Sequence, residues 1–325
     1  MLEMEEINHQ QNPAPKAVNW HCEAYCNYGC KFCYAPFEEQ RKLDKLSREE
    51  GVILINQLVA AGVEKINFVG GEPMLHPHIS DWIVASKQAG LTTSIVSNGT
   101  NMNRDWLERM RPHLDWLGLS IDASIDELHV AIGRGTLGDL NKGESNHLSR
   151  SLEVIENANK LGYGIKLNTV VTRENLSDDM IDLVLRIRPT RWKIFQVLLI
   201  EGENDGRVEP LLISEEEFEK YVNRHREGLA HASDIQIVSE DNETMLGTYA
   251  MIDAQGRVYT NAKGRYLYSK AGIHEIGFSK AWSQISSGFS EERFIQRDGD
   301  WEWDAPSPTS NYSAINLPIV PSEVL

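Results

Sequence analysis

Cys22-Glu-Ala-Tyr-Cys26-Asn-Tyr-Gly-Cys30-Lys-Phe-Cys33-Tyr34 holds all four cysteines of the 325-residue chain. A disulfide framework spreads its cysteines along a small secreted chain, whereas here they crowd into one segment of a long one. Clustered thiolates are soft ligands and suit iron–sulfur or zinc. Zinc sites usually hold ligand pairs apart across a knuckle or use histidines at helical spacing, and neither pattern occurs here. The spacing Cys26-x3-Cys30-x2-Cys33, with an aromatic after the last cysteine, is that of a [4Fe–4S] cluster held by three thiolates. Such a cluster leaves one iron open to a substrate or cofactor. Two other readings remain: a four-cysteine electron-transfer cluster that includes Cys22, and a zinc site.

Outward from this loop the chain alternates strands and helices. Strands are expected at residues 17–21, 65–69, 92–97, 116–121, 163–171 and 191–200. Helices are expected at 51–61, opened by the capping box Ser47-Arg-Glu-Glu50, and at 79–89, 104–110, 125–132, 146–161 and from Ser177 onward. Six strands alternating with helices imply an α/β fold with a parallel sheet. Gly70 and Gly71 follow the second strand, either as an ordinary turn or to let backbone approach a ligand closely.

After Asn204 the pattern changes. A capped helix runs from Ser214 to about Gly228, a strand occupies 235–238, and a hairpin forms from 248–253 and 257–259 around Ala254-Gln-Gly256. The chain thus divides into a flexible start (1–16), a core (17–204), a C-terminal extension (205–305) and a mobile tail rich in Pro, Ser and Asn (306–325).

With 41% hydrophobic and 25% charged residues, the chain can bury a substantial core. No apolar run approaches the roughly 20 residues of a membrane span, and the polar, acidic start has neither part of a signal peptide. A net charge of -16 argues against a general nucleic-acid surface, and any polyphosphate ligand needs a local ring of Lys and Arg. The strands offer one. Side chains alternate faces, so Lys166 and Asn168 share a face, as do Arg191 and Lys193. Inward cations are costly unless an anion meets them. Two such strands predict a multiply charged anion, unless the pairs face outward or meet acids such as Glu201 and Glu203.

The cysteine spacing followed by Gly70-Gly71-Glu72-Pro73 resembles the radical S-adenosylmethionine (SAM) superfamily. The wider pattern is similar to its viperin family. It comprises Asn19, Cys26-Asn-Tyr-x-Cys30, Lys65-Ile-Asn-Phe-x-Gly-Gly-Glu-Pro73, Ser94-Ile-Val-Ser-Asn-Gly99, Ile132-Gly-Arg-Gly135, Arg191-Trp-Lys-x-Phe-Gln196 and Leu199-Ile-Glu-Gly-Glu-Asn204. The likeness covers about residues 17–304.

The resemblance implies a partial (β/α)6 barrel, curled but unclosed, with an α+β extension covering its mouth and completing a nucleotide site. It implies a [4Fe–4S] cluster on Cys26, Cys30 and Cys33, and SAM held by Gly70, Gly71, Glu72, Ser97, Asn98, Ser120 and Arg134. Arg134 would pair with the SAM carboxylate; its other reading is a solvated turn arginine. Asn19, Lys65, Asn67, Lys166, Asn168, Arg191, Lys193 and Arg297 match the family's contacts to a ribonucleoside triphosphate, with Mg2+ carried by the phosphates. Tyr249 matches a tyrosine presented to the sugar, returning a hydrogen atom or an electron and proton late in the reaction.

The implied reaction uses a SAM-derived 5′-deoxyadenosyl radical to remove the 4′ hydrogen of the nucleotide. Loss of the 3′ hydroxyl as water and a one-electron reduction give the 3′-deoxy-3′,4′-didehydro analogue, an RNA chain terminator with an antiviral or anti-phage role. A flavodoxin- or ferredoxin-type electron donor, a monomeric state and a cytoplasmic location complete the implied picture. The membrane-binding helix that precedes the catalytic region of animal viperins is expected to be missing. Cys22 and Val69 depart from the family pattern, so the base is left open. The rival enzyme reading is a peptide-modifying radical SAM activity, weakened because no cysteine follows Cys33. The rival from another class is a non-catalytic iron–sulfur or zinc protein.

Overall fold

The computed structural model describes residues 13–300. The expected tail at 306–325 and most of the expected flexible start lie outside them. Ten strands form one sheet: β1 (Ala17–Glu23), β2 (Lys65–Gly70), β3 (Thr92–Ser97), β4 (Trp116–Ser120), β5 (Gly164–Val171), β6 (Arg191–Gln196), β7 (Gln236–Glu240), β8 (Met251–Ile252), β9 (Arg257–Thr260) and β10 (Leu267–Gly272). Their order is β10-β9-β8-β1-β2-β3-β4-β5-β6-β7, an open sheet. From β8 through β1 to β7 every neighbouring pair is parallel, while β8–β9 and β9–β10 are antiparallel.

The strand-and-helix alternation predicted from the sequence is present, and the C-terminal extension is woven into it. Its first strand, β7, joins the sheet as a seventh parallel strand beside β6. Its hairpin strands β8 and β9 attach to the opposite edge beside β1. The hairpin turn is closed by the Asp253 carboxylate, which accepts from the backbone N–H of Gln255 (3.0 Å) and Arg257 (2.8 Å).

Several expected elements are shorter than the sequence suggests: the first hairpin strand, expected at 248–253, spans only Met251–Ile252. The helix placed from Ser177 begins only at Ile181–Ile187. Asp178 is diverted to accept from the Ser124 N–H and hydroxyl (2.7 and 2.6 Å), and the Met180 N–H donates to His225 Nε2 (3.0 Å). The strand expected to Ile200 stops at Gln196. The Gln196 side-chain Nε2 donates to the Ile213 carbonyl (2.9 Å), and the Ile200 N–H donates to the Asn204 side-chain oxygen (2.8 Å).

Alternation along the strands sorts the two faces of the sheet. Trp20, Ile66, Phe68, Ile95, Leu117, Leu119, Leu167, Trp192 and Ile194 are fully buried in the apolar core. Helix Arg48–Ala60 has the predicted capping box and packs beside Ile79–Gln88. Trp20 and Trp82 pack there with ring centroids 4.5 Å apart and planes tilted by 30°. The other face carries the polar residues in lateral rows: Asn19 beside Asn67 beside Ser94, Lys166 beside Arg191, and Ser120 beside Asn168 beside Lys193. Among the described residues no helix is long and apolar enough to cross a membrane.

Candidate active site

The polar face opens onto a cavity of about 310 Å³. Every site residue anticipated from the sequence lines it. They are Cys26, Cys30 and Cys33; Gly70, Gly71, Glu72, Ser97, Asn98, Ser120 and Arg134; Asn19, Lys65, Asn67, Lys166, Asn168, Arg191, Lys193 and Arg297; and Tyr249.

The three cysteines are free, half-buried thiols on the loop after β1. Burial pushes Cys26 up to about 11 and Cys30 up to about 12, and neighbouring thiols push the same way. Among the described residues no three His, Cys, Asp or Glu side chains are arranged to hold a single metal ion. Cys22 is fully buried outside the cavity lining and donates its S–H to the Val69 carbonyl (3.5 Å). It is a packed thiol of β1, which disfavours the four-cysteine cluster.

Gly70 and Gly71 have a reason the sequence did not supply. A Cβ on Gly70 would stand 2.3 Å from the Glu23 carbonyl, and one on Gly71 would stand 2.4 Å from that of Tyr25. The Gly71 N–H donates to Glu23 O (2.6 Å) and the Glu72 N–H to Tyr25 O (2.9 Å). The glycines let the end of β2 run hard against the cysteine loop.

The buried Glu72 carboxylate accepts from Ser97 Oγ (2.7 Å), Asn98 N (2.7 Å) and Met74 N (3.0 Å). Burial outweighs these donors and lifts its pKa to about 7. Asn98 also donates to Asn27 in the cysteine loop (2.8 Å). The Ser120 carbonyl meets His147 Nε2 (2.7 Å), whose other nitrogen meets the Tyr28 hydroxyl (3.1 Å). Arg134 is not a solvated turn residue: its side chain is 11% exposed and bound to Asp122, with Nε donating to Oδ2 at 2.5 Å. Burial opposes its charge, but Asp122 holds it protonated.

Lys65, Lys166 and Arg191 lie lower on the strands, Lys193 lies in the row of Ser120 and Asn168, and Arg297 caps the helix Glu291–Gln296. Lys65 opens β2, five residues before Gly70, which at about 3.3 Å per residue is roughly 16 Å. Arg191 opens β6, with Lys166 beside it on β5. Lys65 is pushed well below the usual lysine range by burial, then by Lys166, Lys193, Arg191 and Arg297. Lys166 falls to about 7 from burial, Lys193 and Arg191. Lys193 falls to about 8 from burial, with Glu240 opposing the shift. Among the described residues, Glu240 and Asp298 pair with members of this group, where the alternative reading of the sequence had named Glu201 and Glu203. Glu240 meets Lys193 (2.5 Å) and Arg297 (3.2 Å), and Asp298 meets Arg191 (2.8 Å). Asn67 donates to Asn19 (3.1 Å) while its own carbonyl oxygen is buried without a partner.

Asp122, Glu240 and Asp298 were missed from the sequence. Asp122 could have been sought two residues past Ser120 at the end of β4. Glu240 and Asp298 carry no local signal, because their partners come from elsewhere in the chain.

The Radical SAM superfamily profile matches residues 24–187. The S-adenosylmethionine-dependent nucleotide dehydratase of Flammeovirga pacifica is 40% identical over 293 residues, 88% of this chain and 96% of that protein. The chain belongs to the S-adenosylmethionine-dependent nucleotide dehydratase family of the radical SAM superfamily. Its similarity to the Danio rerio protein of that family is 33% over 300 residues, 89% of this chain and 78% of that one. The crystal structure of Streptococcus suis SuiB bound to S-adenosylmethionine shares the fold, with a TM-score of 0.63 and 13% identity over 87% of this chain and 67% of that one. Membership in the dehydratase family implies a [4Fe–4S] cluster and SAM. The residues fit both: three half-buried free thiols open onto the cavity beside Glu72, Ser97, Asn98 and Arg134.

Proposed function

We propose that this chain converts a ribonucleoside triphosphate into its 3′-deoxy-3′,4′-didehydro analogue, an RNA chain terminator serving antiviral or anti-phage defence. One observation carries the triphosphate: five buried or half-buried cations converge on one cavity of a protein whose net charge is -16, and among the described residues Glu240 and Asp298 pair with Lys193, Arg297 and Arg191. Their mutual repulsion is what a polyanion relieves. The names of the curated relatives favour a nucleotide over a peptide.

When bound, the cluster and SAM supply the hydrogen-abstracting radical. This chain's residues position and shield. Cys26, Cys30 and Cys33 would hold the cluster, and Glu72 and Arg134 would receive the amino and carboxylate groups of SAM. Lys65, Lys166, Arg191, Lys193 and Arg297 would clamp the phosphates, and Asn19, Asn67 and Asn168 would meet the ribose. The unpartnered Asn67 carbonyl suits a hydroxyl donor. Tyr249 stands at the sugar. Mg2+ on the phosphates, a flavodoxin- or ferredoxin-type donor, a monomeric state and a cytoplasmic location belong to the same proposal.

The test is anaerobic. Reconstituted, reduced protein receives SAM with CTP, UTP, GTP or ATP, and 5′-deoxyadenosine and nucleotide are followed by mass spectrometry. A burst with one triphosphate, matched by a nucleotide lighter by one water, is expected. SAM cleavage indifferent to every triphosphate would sink the reading.

A further inference from the structure

Glu240 ends β7, is fully buried and does not line the cavity, yet it holds three groups that do. Its Oε1 meets Lys193 (2.5 Å) and Arg297 (3.2 Å), and its Oε2 accepts the Tyr249 hydroxyl (2.5 Å). Lys193 also donates to the Tyr249 oxygen (3.2 Å), and the Arg297 guanidinium carbon lies 3.9 Å over the Tyr249 ring. The phenolic hydrogen is therefore aimed at a buried carboxylate. Delivering it to a nucleotide would turn the hydroxyl away and strip Glu240 of that donor. Giving up an electron requires no such turn.

We propose that Glu240 is the positioning residue that takes the Tyr249 proton when Tyr249 passes an electron to the substrate. This inference rests on the nucleotide dehydratase reading. After 4′-hydrogen removal the 3′ hydroxide leaves, taking a proton from solvent to become water, and the sugar is left as a radical cation. One electron from Tyr249 completes the C3′–C4′ double bond. A phenol that has lost an electron is a far stronger acid than any carboxylic acid, so its proton crosses to Glu240 Oε2 and a neutral tyrosyl radical remains. A one-electron donor of the flavodoxin or ferredoxin class then reduces that radical, and Glu240 returns the proton. Arg297 over the ring sharpens the requirement, because a cation there opposes a positively charged ring and the proton must leave with the electron.

The experiment compares wild type, Glu240→Gln, Glu240→Asp and Tyr249→Phe in the reconstituted enzyme, scoring product formed per 5′-deoxyadenosine and the KM for the triphosphate. Glu240→Gln accepts the same hydrogen bond but is no base, so the ratio should fall about tenfold or more, given what a positioned proton-transfer group contributes. Its KM should not rise, because a negative charge beside the phosphate-binding cations has been removed. Glu240→Asp, which keeps a carboxylate, should recover much of the ratio. A wild-type ratio in Glu240→Gln, with only KM raised, would show a brace for Lys193 and Arg297 and overturn the proposal. An undiminished ratio in Tyr249→Phe would overturn it through Tyr249, leaving the dehydratase reading intact. No product from wild type with any triphosphate would remove that reading and the proposal together.

Discussion

Triphosphate affinity should weaken as pH rises through the range where Lys166 loses its proton. Lys166 is buried, and its pKa is lowered to about 7 by burial first and then by Lys193 and Arg191. Anionic phosphates beside this ammonium favour its charged form, so binding draws in a proton wherever free Lys166 is neutral. Moving from about pH 7.5 to about pH 8.5 raises the factor 1 + 10^(pH − 7) from about 4 to about 33. The apparent Kd then weakens about eightfold, or about 1.2 kcal/mol. Lys193, lowered to about 8, pushes in the same direction. The terminal phosphate, with a pKa of about 6, is already ionised throughout this window, so the slope belongs to the protein. Isothermal titration of the triphosphate without SAM, in two buffers of different ionisation heat, reads Kd and proton uptake together. Lys166→Met should flatten most of the slope. A Kd constant across the window, or proton release on binding, would refute the electrostatic reasoning.

Cys22→Ala should keep full iron content after reconstitution, whereas Cys26→Ala, Cys30→Ala or Cys33→Ala should each lose it; an iron assay decides. Asp122→Asn strips the buried Arg134 of its carboxylate partner, so it should cost about 3–5 kcal/mol of stability and weaken SAM binding, as read by thermal unfolding and equilibrium binding. Unchanged SAM affinity would detach Arg134 from SAM. Gly71→Ala places a Cβ 2.4 Å from the Tyr25 carbonyl, and this overpacking should cost about 1–3 kcal/mol. Reconstituted iron should fall with it, because the displaced backbone belongs to the cysteine loop.

Much of this protein was legible because its signals are local. Cysteine spacing is a property of a few consecutive residues, and strand alternation places Lys166 with Asn168 and Arg191 with Lys193 before any fold is known. The parallel sheet follows from the rhythm of strands and helices. Less local features escaped. The segment 235–238 reads as a strand, but its place beside β6 depends on which sheet edge stands open when the chain arrives there. The helix expected from Ser177 lost its first turn to Ser124 and His225, distant residues competing for the same backbone and side-chain groups.

The sequence alone determined the three-cysteine loop, the glycine pair that follows β2 and the cations that share a strand face, since each depends on residue type and short spacing. Only the tertiary structure decided which acids meet those cations. Glu240 pairs with Lys193 and Arg297, and Asp298 with Arg191, across separations of 47, 57 and 107 residues respectively. Whether a charge is buried, paired or poised for a ligand depends on what surrounds it in space, and residue order specifies that only through the completed fold.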